Sequence, residues 1–368
     1  MIFLNLILLI TMISCQDTNE NDTTSDEILY TMPEESEHHE GTWLQWPHHY
    51  QYGLAYRNEI DPTWVAMTQA LVTSEKVHII AYNETEKNRI IALLTAASVS
   101  LNNVDFKIYQ TDDVWVRDNG PIYVRDKNGN LVIEDWGFNG WGEKADFEKC
   151  DLIPAKIGTD QNRTVINLNN EMVNEGGAVE IDGNGTLLAT KSAILNTNRN
   201  PGLTQADAEA IFKTYLGVTN VIWLDGVAGL EITDMHIDGF ARFGNATTIV
   251  TMSNASLLEW DVTQADINKL YAAKNKNGTA YTFVNLPLTQ NNVTTATGIN
   301  LGYKGSYVNY YIANNKVLVP NYNDANDAVA NQLIQNLYPT RTVVGIDVRN
   351  LYANGGMIHC VTQQQPVN

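Results

Sequence analysis

Short apolar runs and amphipathic stretches alternate along most of the chain, which is the pattern of a mixed α/β protein. The apolar runs at residues 77–82 and 343–348 predict buried strands. Amphipathic periodicity, together with capping residues and a proline in a first turn, predicts five helices at residues 61–74, 84–97, 204–216, 264–273 and 324–337.

Turn residues between the apolar segments predict β-hairpins that separate these helices. The three turn sequences are Lys127-Asn128-Gly129-Asn130, Asp182-Gly183-Asn184-Gly185 and Asn314-Asn315. Five helices among many short strands, with no linker-like interruption, favour one domain of repeated α/β units over two separate domains.

The amino-terminal part of the chain has a different composition. Residues 2–13 form an apolar run that is too short for a membrane span of about 20 residues and fits an export signal. Ser14-Cys15 resembles the lipobox of bacterial lipoproteins, which implies a lipidated Cys15 and an exported protein in the periplasm or on the cell surface. Residues 16–40 are as polar as a solvated tether. We therefore predict a signal peptide at 1–15, a disordered tether at 16–32 and one domain at 33–368.

The overall composition limits the possible partners. Of the 368 residues, 44% are hydrophobic, which supports a large core. The net charge of -19 argues against a nucleic-acid partner, since phosphate binding needs a basic surface. An acidic field concentrates a cationic substrate, although solubility explains the charge equally well.

The segment Asn354-Gly355-Gly356-Met357-Ile358-His359-Cys360 follows the last predicted strand, and its glycines let the backbone approach another group closely. A cysteine presented in this way, ahead of a polar Thr-Gln-Gln-Gln run, is a candidate nucleophile. The other cysteines are Cys15 and Cys150, too few for a disulfide framework. A disulfide between Cys150 and Cys360 would exclude the nucleophile hypothesis.

A second candidate stretch contains Trp115, Arg117 and Asp118. In a regular strand, alternation places Trp115 and Asp118 on opposite sides, whereas a loop or bulge brings both to one cavity. For the preceding Asp112-Asp113 pair, a solvated turn is the simpler interpretation.

Two further stretches offer aromatic and acidic groups. Asp135-Trp136-Gly137-Phe138-Asn139-Gly140-Trp141-Gly142 is a glycine-rich aromatic loop, whose indoles either stack against a planar cation or are simply buried. Glu175-Gly176-Gly177 presents one carboxylate beside glycines that permit close approach.

His236 and Asp238 are two residues apart, so an extended segment presents both on one side. Such a pair binds a metal only if further ligands are supplied, and the sequence offers no additional histidine cluster nearby. Together with a presented cysteine, His236 is better interpreted as a general acid and base. A purely structural, hydrogen-bonded histidine is the alternative.

The order and spacing of these motifs resemble the agmatine deiminase family, which also includes the Porphyromonas-type peptidylarginine deiminases. The resemblance covers residues 33–366. The matching motifs are Gly41-Thr42-Trp43-Leu44-Gln45-Trp46-Pro47, Trp115-Val116-Arg117-Asp118-Asn119-Gly120-Pro121, residues 135–142, Glu175-Gly176-Gly177, Thr233-Asp234-Met235-His236-Ile237-Asp238, and residues 355–366. It implies the α/β pentein fold, a five-bladed propeller of pseudo-fivefold ββαβ units with the active site in its axial channel.

The resemblance also implies roles for individual residues. Cys360 would be the nucleophile and His236 the general acid and base, while Asp118 and Asp238 would hold the guanidinium nitrogens. Trp115 and Trp136 would wall the substrate, with Glu175 as a supporting carboxylate. The implied reaction is hydrolytic deimination of agmatine to N-carbamoylputrescine and ammonia through a covalent thiouronium, and it requires no metal and no cofactor.

The sequence is also compatible with other substrates and functions. Peptidylarginine deimination is the main alternative, and an amidinotransferase or an inactive cation-binding surface lipoprotein are further ones. Met235 occupies a position where many members have glycine, and His48-His49-Tyr50 differs from the segment expected after Trp46-Pro47. The expected partner is a small cationic guanidino compound, agmatine or an arginine side chain. A membrane would be contacted only through a lipid on Cys15, and the sequence does not give the oligomeric state.

Overall fold

The computed structural model describes residues 27–368. The predicted signal peptide and Cys15 lie outside this range. Within it, no helix is both long enough and apolar enough to cross a membrane.

The described residues form seventeen strands and eleven helices in alternation. The strands are β1 Tyr30–Thr31, β2 His39–Gln45, β3 Lys76–Ala81, β4 Val104–Ile108, β5 Ile122–Asp126, β6 Leu131–Gly137, β7 Val165–Val173, β8 Val179–Ile181, β9 Thr186–Thr190, β10 Asn220–Leu224, β11 Arg242–Asn245, β12 Thr248–Met252, β13 Thr282–Leu286, β14 Tyr311–Ile312, β15 Lys316–Asn321, β16 Thr342–Asp347 and β17 Gln363–Pro366. The helices are α1 His49–Leu71, α2 Glu84–Ala96, α3 Val116–Asn119, α4 Gly140–Glu143, α5 Ile153–Gln161, α6 Lys191–Ile194, α7 Gln205–Leu216, α8 Asn254–Glu259, α9 Gln264–Tyr271, α10 Asn326–Leu337 and α11 Arg349–Tyr352.

These strands make five separate sheets in the part of the chain that the structure describes. The sheet orders are β1-β5-β6-β7, β10-β9-β8, β11-β12-β13, β14-β15-β16 and β17-β2-β3-β4. Each sheet contains an antiparallel pair and, beside it, a parallel strand reached through a helix. The first sheet adds a second antiparallel pair through β1, and the fifth adds a second parallel pair through β4. The same ββαβ unit is therefore used five times, which agrees with the mixed α/β class predicted from the sequence.

The fifth sheet joins the two ends of the described chain. The last strand, β17, pairs antiparallel with β2, so that Gln363 lies opposite Trp43. The segment that precedes β17 is therefore held by a sheet whose other strands, β2 to β4, come from the beginning of the domain. Cys360 lies in this passage, within a 3₁₀ turn at His359–Val361.

Most of the predicted local elements are present. The three predicted turns join β5 to β6, β8 to β9 and β14 to β15, so these hairpins are confirmed. The predicted capping at the start of the third helix is also confirmed, because Thr204 and Asp207 form a reciprocal capping box and Gly217 ends α7 in a left-handed conformation.

The predicted helix count agrees with the number of sheets only by coincidence. Two predicted helices, α1 and α2, belong to one sheet, whereas α5, the crossover between β6 and β7, was not predicted. Helix α1 also begins at His49 rather than at residue 61, with a break at Gly53 and with Pro62 inside it. Its extension is stabilised by tertiary contacts, among them the Tyr56 hydroxyl donating to the Asn350 carbonyl at 2.7 Å.

The boundary between tether and domain lies earlier than predicted. Tyr30–Thr31 pair with β5, and the Leu29 and Met32 amides donate to carbonyls of the α7 segment. The polar composition of residues 16–40 suggested solvation, but backbone hydrogen bonds do not depend on side-chain polarity. The segment at residues 29–38 is thus part of the folded domain.

Candidate active site

The chemically active side chains lie on or beside short turns, each of which precedes one strand of a different sheet. Asp118 lies on α3 before β5, and Glu175 and Gly177 lie at the 3₁₀ turn Gly176–Ala178 before β8. His236 and Asp238 lie at the turn Ile237–Gly239 before β11. Asn309 comes shortly before β14, and Cys360 shortly before β17. One equivalent passage from each sheet therefore contributes to the site.

Gly177 is the point where these turns meet. A Cβ atom added at Gly177 would lie 2.7 Å from Asp118 Oδ1, 2.7 Å from His236 Nδ1 and 3.1 Å from Asp238 Oδ2. The three functional groups thus surround a single small volume, which only glycine leaves free.

A cavity of about 940 Å³ opens onto these groups. Asp118, His236, Asp238 and Cys360 all line it, although they are far apart in the sequence. The structure therefore brings the four predicted catalytic residues to one place. Cys150 and Cys360 are both free thiols, so the disulfide that would have excluded a nucleophile is absent from the described residues.

Cys360 is held beside an amide side chain. Asn309 Oδ1 lies 3.5 Å from Cys360 Sγ and accepts the backbone N–H of His359 at 2.9 Å. Burial, and then the carboxylates of Asp238 and Asp118, raise the pKa of the Cys360 thiol well above its ordinary value. The thiol is therefore protonated when no cation is bound.

His236 lies between two carboxylates. Its Nε2 is 2.9 Å from Glu175 Oε2, and its Nδ1 is 3.6 Å from Asp118 Oδ1. Burial alone would lower the pKa of His236, but the negative charges of Asp118 and Glu175 outweigh it and raise the pKa to about 9. The imidazole is thus charged at neutral pH, and Nδ1 is the nitrogen that faces the cavity side.

Glu175 is fixed from behind by a second cation. Its Oε1 accepts a hydrogen bond from Arg199 Nε at 2.9 Å, and Arg199 also binds Asp234. Although burial opposes ionisation, His236 and Arg199 hold the pKa of Glu175 below its ordinary value. Glu175 does not line the cavity, so it acts on the site through His236.

The two carboxylates predicted to hold the substrate, Asp118 and Asp238, differ in their partners. Asp118 accepts hydrogen bonds at 3.0 Å from the Gly177 amide and at 3.0 Å from Trp141 Nε1, and burial raises its pKa to about 6. Asp238 Oδ2 lies 2.7 Å from His359 Nδ1. Burial favours the neutral form here too, but His359 holds the pKa of Asp238 below its ordinary value. Asp238 is thus the firmly ionised one of the pair.

The tryptophans are distributed differently from the prediction. Trp115 lines the cavity, and its ring packs against Gly356, where a side chain would collide with it. Trp136 does not line the cavity: it packs edge-to-face on Tyr215 and donates to Glu134 at 3.0 Å. The pairing of β6 with β7 is regular through Trp136 and shifts register only between Trp136 and Gly137, so Trp136 stays on the core side of the sheet. The indole at the site is Trp141 instead, on the left-handed backbone of α4 (φ 58°).

The chain around Asp118 is not a regular strand, so the alternative conformation, in which Trp115 and Asp118 reach one cavity, is the one present. Residues 116–119 form a helical turn rather than a strand, and Trp115 and Asp118 both line the cavity. The solvated turn suggested for Asp112-Asp113 is wrong, because both residues are buried. Asp113 Oδ1 accepts the Trp115 amide at 2.9 Å, which shapes the turn, and the buried Cys150 thiol points to the same oxygen.

Sequence reasoning missed Asn309 and the role of His359. Asn309 lies in an apolar and aromatic stretch, residues 306–312, with no recognisable motif. Its zero exposure for an amide side chain reflects its contacts with the Cys360 turn and with the Asp238 carbonyl. Within residues 27–368, no group of three or more His, Cys, Asp or Glu side chains is arranged to hold a metal ion.

The arrangement suits a flat cation. Asp118 and Asp238 line the cavity together with the charged imidazole of His236 and the thiol of Cys360, and the indoles of Trp115, Trp141 and Trp260 form part of its wall. Paired carboxylates compensate a guanidinium as it leaves water, and the aromatic faces favour a planar cation.

Comparison with known proteins agrees with this chemistry. The sequence model of the Porphyromonas-type peptidyl-arginine deiminase family matches residues 31–366. Agmatine deiminases of Pseudomonas aeruginosa (strain LESB58) and Stutzerimonas stutzeri (strain A1501) are 30% and 31% identical, and each alignment covers 92% of this chain and 95% of the relative. The solved structure of the agmatine deiminase of Enterococcus faecalis is 25% identical and superimposes with a TM-score of 0.79 over 92% of this chain and 96% of the other.

Proposed function

The chain belongs to the Porphyromonas-type peptidyl-arginine deiminase family, and we propose that it is a hydrolase that converts agmatine and water to N-carbamoylputrescine and ammonia. The observation that supports this most directly is the joint lining of one cavity by Asp118, His236, Asp238 and Cys360. The agmatine deiminases among its relatives, aligned over nearly the whole chain, favour agmatine as the substrate.

The first step is binding of the guanidinium between Asp118 and Asp238. The bound positive charge offsets the two carboxylates that disfavour a thiolate, so Cys360 releases its proton to solvent once substrate is present and takes one back after the product leaves. The thiolate then attacks the central carbon, which forms the C–S bond and a tetrahedral adduct.

His236 supplies the proton that lets ammonia leave. Its Nδ1–H protonates one nitrogen of the adduct, the C–N bond breaks, and a thiouronium remains on Cys360. The neutral imidazole next takes a proton from an attacking water. The C–S bond then breaks, which returns the thiolate and releases the ureido product, and the second proton of the water goes to the ammonia. Because Glu175 occupies Nε2, the same nitrogen, Nδ1, serves both steps.

Deimination of arginine within peptides is the second candidate. A cavity of about 940 Å³ is larger than agmatine needs, and its mouth carries exposed apolar residues such as Leu230 and Ile232. Ammonia release should therefore be measured with agmatine, free arginine and a peptide with an internal arginine. Turnover of agmatine with formation of N-carbamoylputrescine supports the first proposal, and turnover of the peptide alone would replace it. Binding without any ammonia release would favour an inactive cation-binding protein.

We also propose that the five sheets are the blades of a pentein-type α/β propeller. The support is the fivefold recurrence of the ββαβ unit and the convergence of a turn from each sheet on one site. An experimental structure in which the sheets do not follow each other around a common axis would contradict this arrangement.

A lipid anchor at Cys15 is a further proposal, supported by the apolar run and the Ser14-Cys15 pair. In a bacterial host, the full chain should incorporate radiolabelled palmitate and fractionate with membranes, and Cys15→Ser should abolish both. Label-free wild-type protein would contradict the anchor.

A further inference from the structure

A buried chain of charged groups connects the amino-terminal segment to the carboxylate behind the cavity. Glu35 Oε2 lies 2.7 Å from His359 Nε2, and His359 Nδ1 lies 2.7 Å from Asp238 Oδ2. The Glu35 and His359 side chains are only 9% and 2% exposed. Neither residue lines the cavity, so both act from behind it.

Glu35 is the centre of this cluster. Its Oε2 also accepts from Arg242 Nη2 at 2.9 Å and from Arg117 Nη2 at 3.4 Å, and its Oε1 accepts the Ile312 amide at 2.8 Å. The two guanidinium groups and the Ile312 amide can only donate, which favours an ionised Glu35 carboxylate that accepts from all three. Burial alone would raise the pKa of Glu35, but Arg242 and His359 hold it well below the ordinary value.

The hydrogen-bonding pattern determines the form of the His359 ring. Each ring nitrogen faces an oxygen of an ionised carboxylate, and such an oxygen only accepts hydrogen bonds. A ring with a hydrogen on both nitrogens, the imidazolium, is the form that donates to both oxygens. A neutral ring would turn one lone pair against Glu35 or Asp238, at a cost comparable to that of an unpaired buried group.

We propose that Glu35 is a positioning residue for the deimination: it keeps His359 doubly protonated, and His359 in turn fixes the Asp238 carboxylate in the orientation that receives the guanidinium. This inference rests on the proposed function. It assigns a role to a residue of the segment that composition alone describes as a tether. The segment is tied to the domain by β1, so Glu35 is held in place by the same fold that positions the site.

Other charged and titratable groups surround the pair from every neighbouring element. They are Arg117 of α3, Glu180 of β8, Asp238 of the turn before β11, Arg242 of β11, and the hydroxyls of Tyr310, Tyr311 and Tyr338. Two guanidinium groups beside His359 disfavour a third cation there. On the Nε2 side, Glu35 Oε2 is the nearer carboxylate oxygen at 2.7 Å, whereas Glu180 Oε1 lies 4.0 Å away. Removing the charge of Glu35 should therefore favour the neutral ring.

The test compares Glu35→Gln with Glu37→Gln. Both variants remove one negative charge from the same segment, but the Glu37 side chain is 44% exposed and lies 3.7 Å from Arg125 at the surface. In ¹⁵N-histidine NMR spectra of the substrate-free protein, we expect the wild type and Glu37→Gln to show hydrogens on both His359 nitrogens. The Glu35→Gln spectrum should retain only the Nδ1 hydrogen. The signals are assigned with His359→Gln.

Steady-state kinetics provide the second readout. Loss of a hydrogen bond to a charged group predicts a decrease in kcat/KM for agmatine of about 10- to 100-fold in Glu35→Gln, mainly through KM, with Glu37→Gln near wild type. Glu35→Asp, which restores the charge, should recover part of the loss. Unchanged KM and an unchanged ring in a Glu35→Gln protein that is merely less heat-stable would overturn the proposal and leave Glu35 as an anchor of the segment.

Two outcomes remain decisive if Glu35→Gln does not fold. A wild-type His359 ring with a single hydrogen overturns the positioning role, and a doubly protonated ring supports it without any variant. A wild-type protein that shows the imidazolium but releases no ammonia from any guanidino compound would instead contradict the proposed function, so the two failures can be distinguished.

Discussion

Replacing Gly177 by alanine tests the site geometry with a single methyl group. The new Cβ would lie 2.7 Å from both Asp118 Oδ1 and His236 Nδ1, whereas ordinary contact begins at 3.4 Å. Asp118 Oδ1 and His236 Nδ1 must therefore both retreat by about 0.7 Å, or the backbone of residue 177 must shift away from them by a similar distance. The φ of Gly177 is not in the left-handed region, so the effect is steric rather than conformational.

The size of the effect follows from that displacement. A misplacement of about 1 Å in a reacting geometry costs about 10²-fold in rate, so a shift of this size predicts a 10- to 100-fold lower kcat/KM. This loss corresponds to about 1.4–2.8 kcal/mol of transition-state stabilisation. Crowding of a packed site should also lower the free energy of unfolding by about 1–3 kcal/mol.

The assay is ammonia release from agmatine, with urea unfolding of the same preparations as a check on folding. Gly239→Ala is the matched control, since its added Cβ would meet only Trp260 Nε1, at 4.0 Å. Wild-type kcat/KM in a folded Gly177→Ala protein would show that Asp118, His236 and Asp238 do not act together on the substrate, and it would refute the geometric argument.

Four other predictions concern the titrating groups. Cys360→Ala should abolish turnover but retain agmatine binding by calorimetry, because the cation is held by carboxylates, and residual turnover would exclude the covalent intermediate. The kcat/KM profile should be bell-shaped: activity falls as pH drops through about 6, where Asp118 becomes protonated, and falls as pH rises through about 9, where His236 loses the proton that it donates. Glu175→Gln removes a charge that raises the pKa of His236, so the alkaline limb should move to lower pH, and an unmoved limb would contradict this assignment. Trp141→Phe removes a hydrogen bond that lowers the pKa of Asp118, so the acid limb should move to higher pH with the alkaline limb unchanged.

The sequence was most informative where the chemistry is concentrated in short motifs. Each motif alone was ambiguous, but their order and spacing resembled one family, and that resemblance predicted the meeting of Asp118, His236, Asp238 and Cys360 in one cavity. Their local conformations were less predictable. The segments that carry Asp118 and Asp238 form tight helical turns rather than strands. Such turns depend on short-range hydrogen bonds to side chains, as the bond from the Trp115 amide to Asp113 shows.

The missed features depend on contacts between residues that are distant in sequence. Glu35 lies in a polar run and is distinguished only by partners 207 and 324 positions away, Arg242 and His359. Asn309 has no motif around it and faces a turn 50 positions later. Periodicity describes single elements, so it cannot identify a polar residue that is buried by partners from other sheets.

The choice between Trp136 and Trp141 illustrates the same restriction in a small region. Both indoles lie in one glycine-rich loop, and composition alone does not distinguish them. Backbone geometry determines which indole reaches the cavity. Strand β6 remains regular through Trp136, and the chain then enters a left-handed turn at Trp141. The indole after the turn reaches Asp118.

The charges of the site indicate the order of events in the reaction. Glu175 is compensated by Arg199 and His236, and Asp238 by His359, so the pKa of each is below its ordinary value. Asp118 is less well compensated: its nearest cationic atom is His236 Nδ1 at 3.6 Å, and burial raises its pKa to about 6. Asp118 is therefore the carboxylate that gains most from a bound cation. The same uncompensated charge disfavours a thiolate at Cys360, so a guanidinium that neutralises Asp118 also makes the thiolate accessible. Substrate binding and activation of the nucleophile are, on this argument, one electrostatic event, and a neutral isostere of agmatine should fail in both.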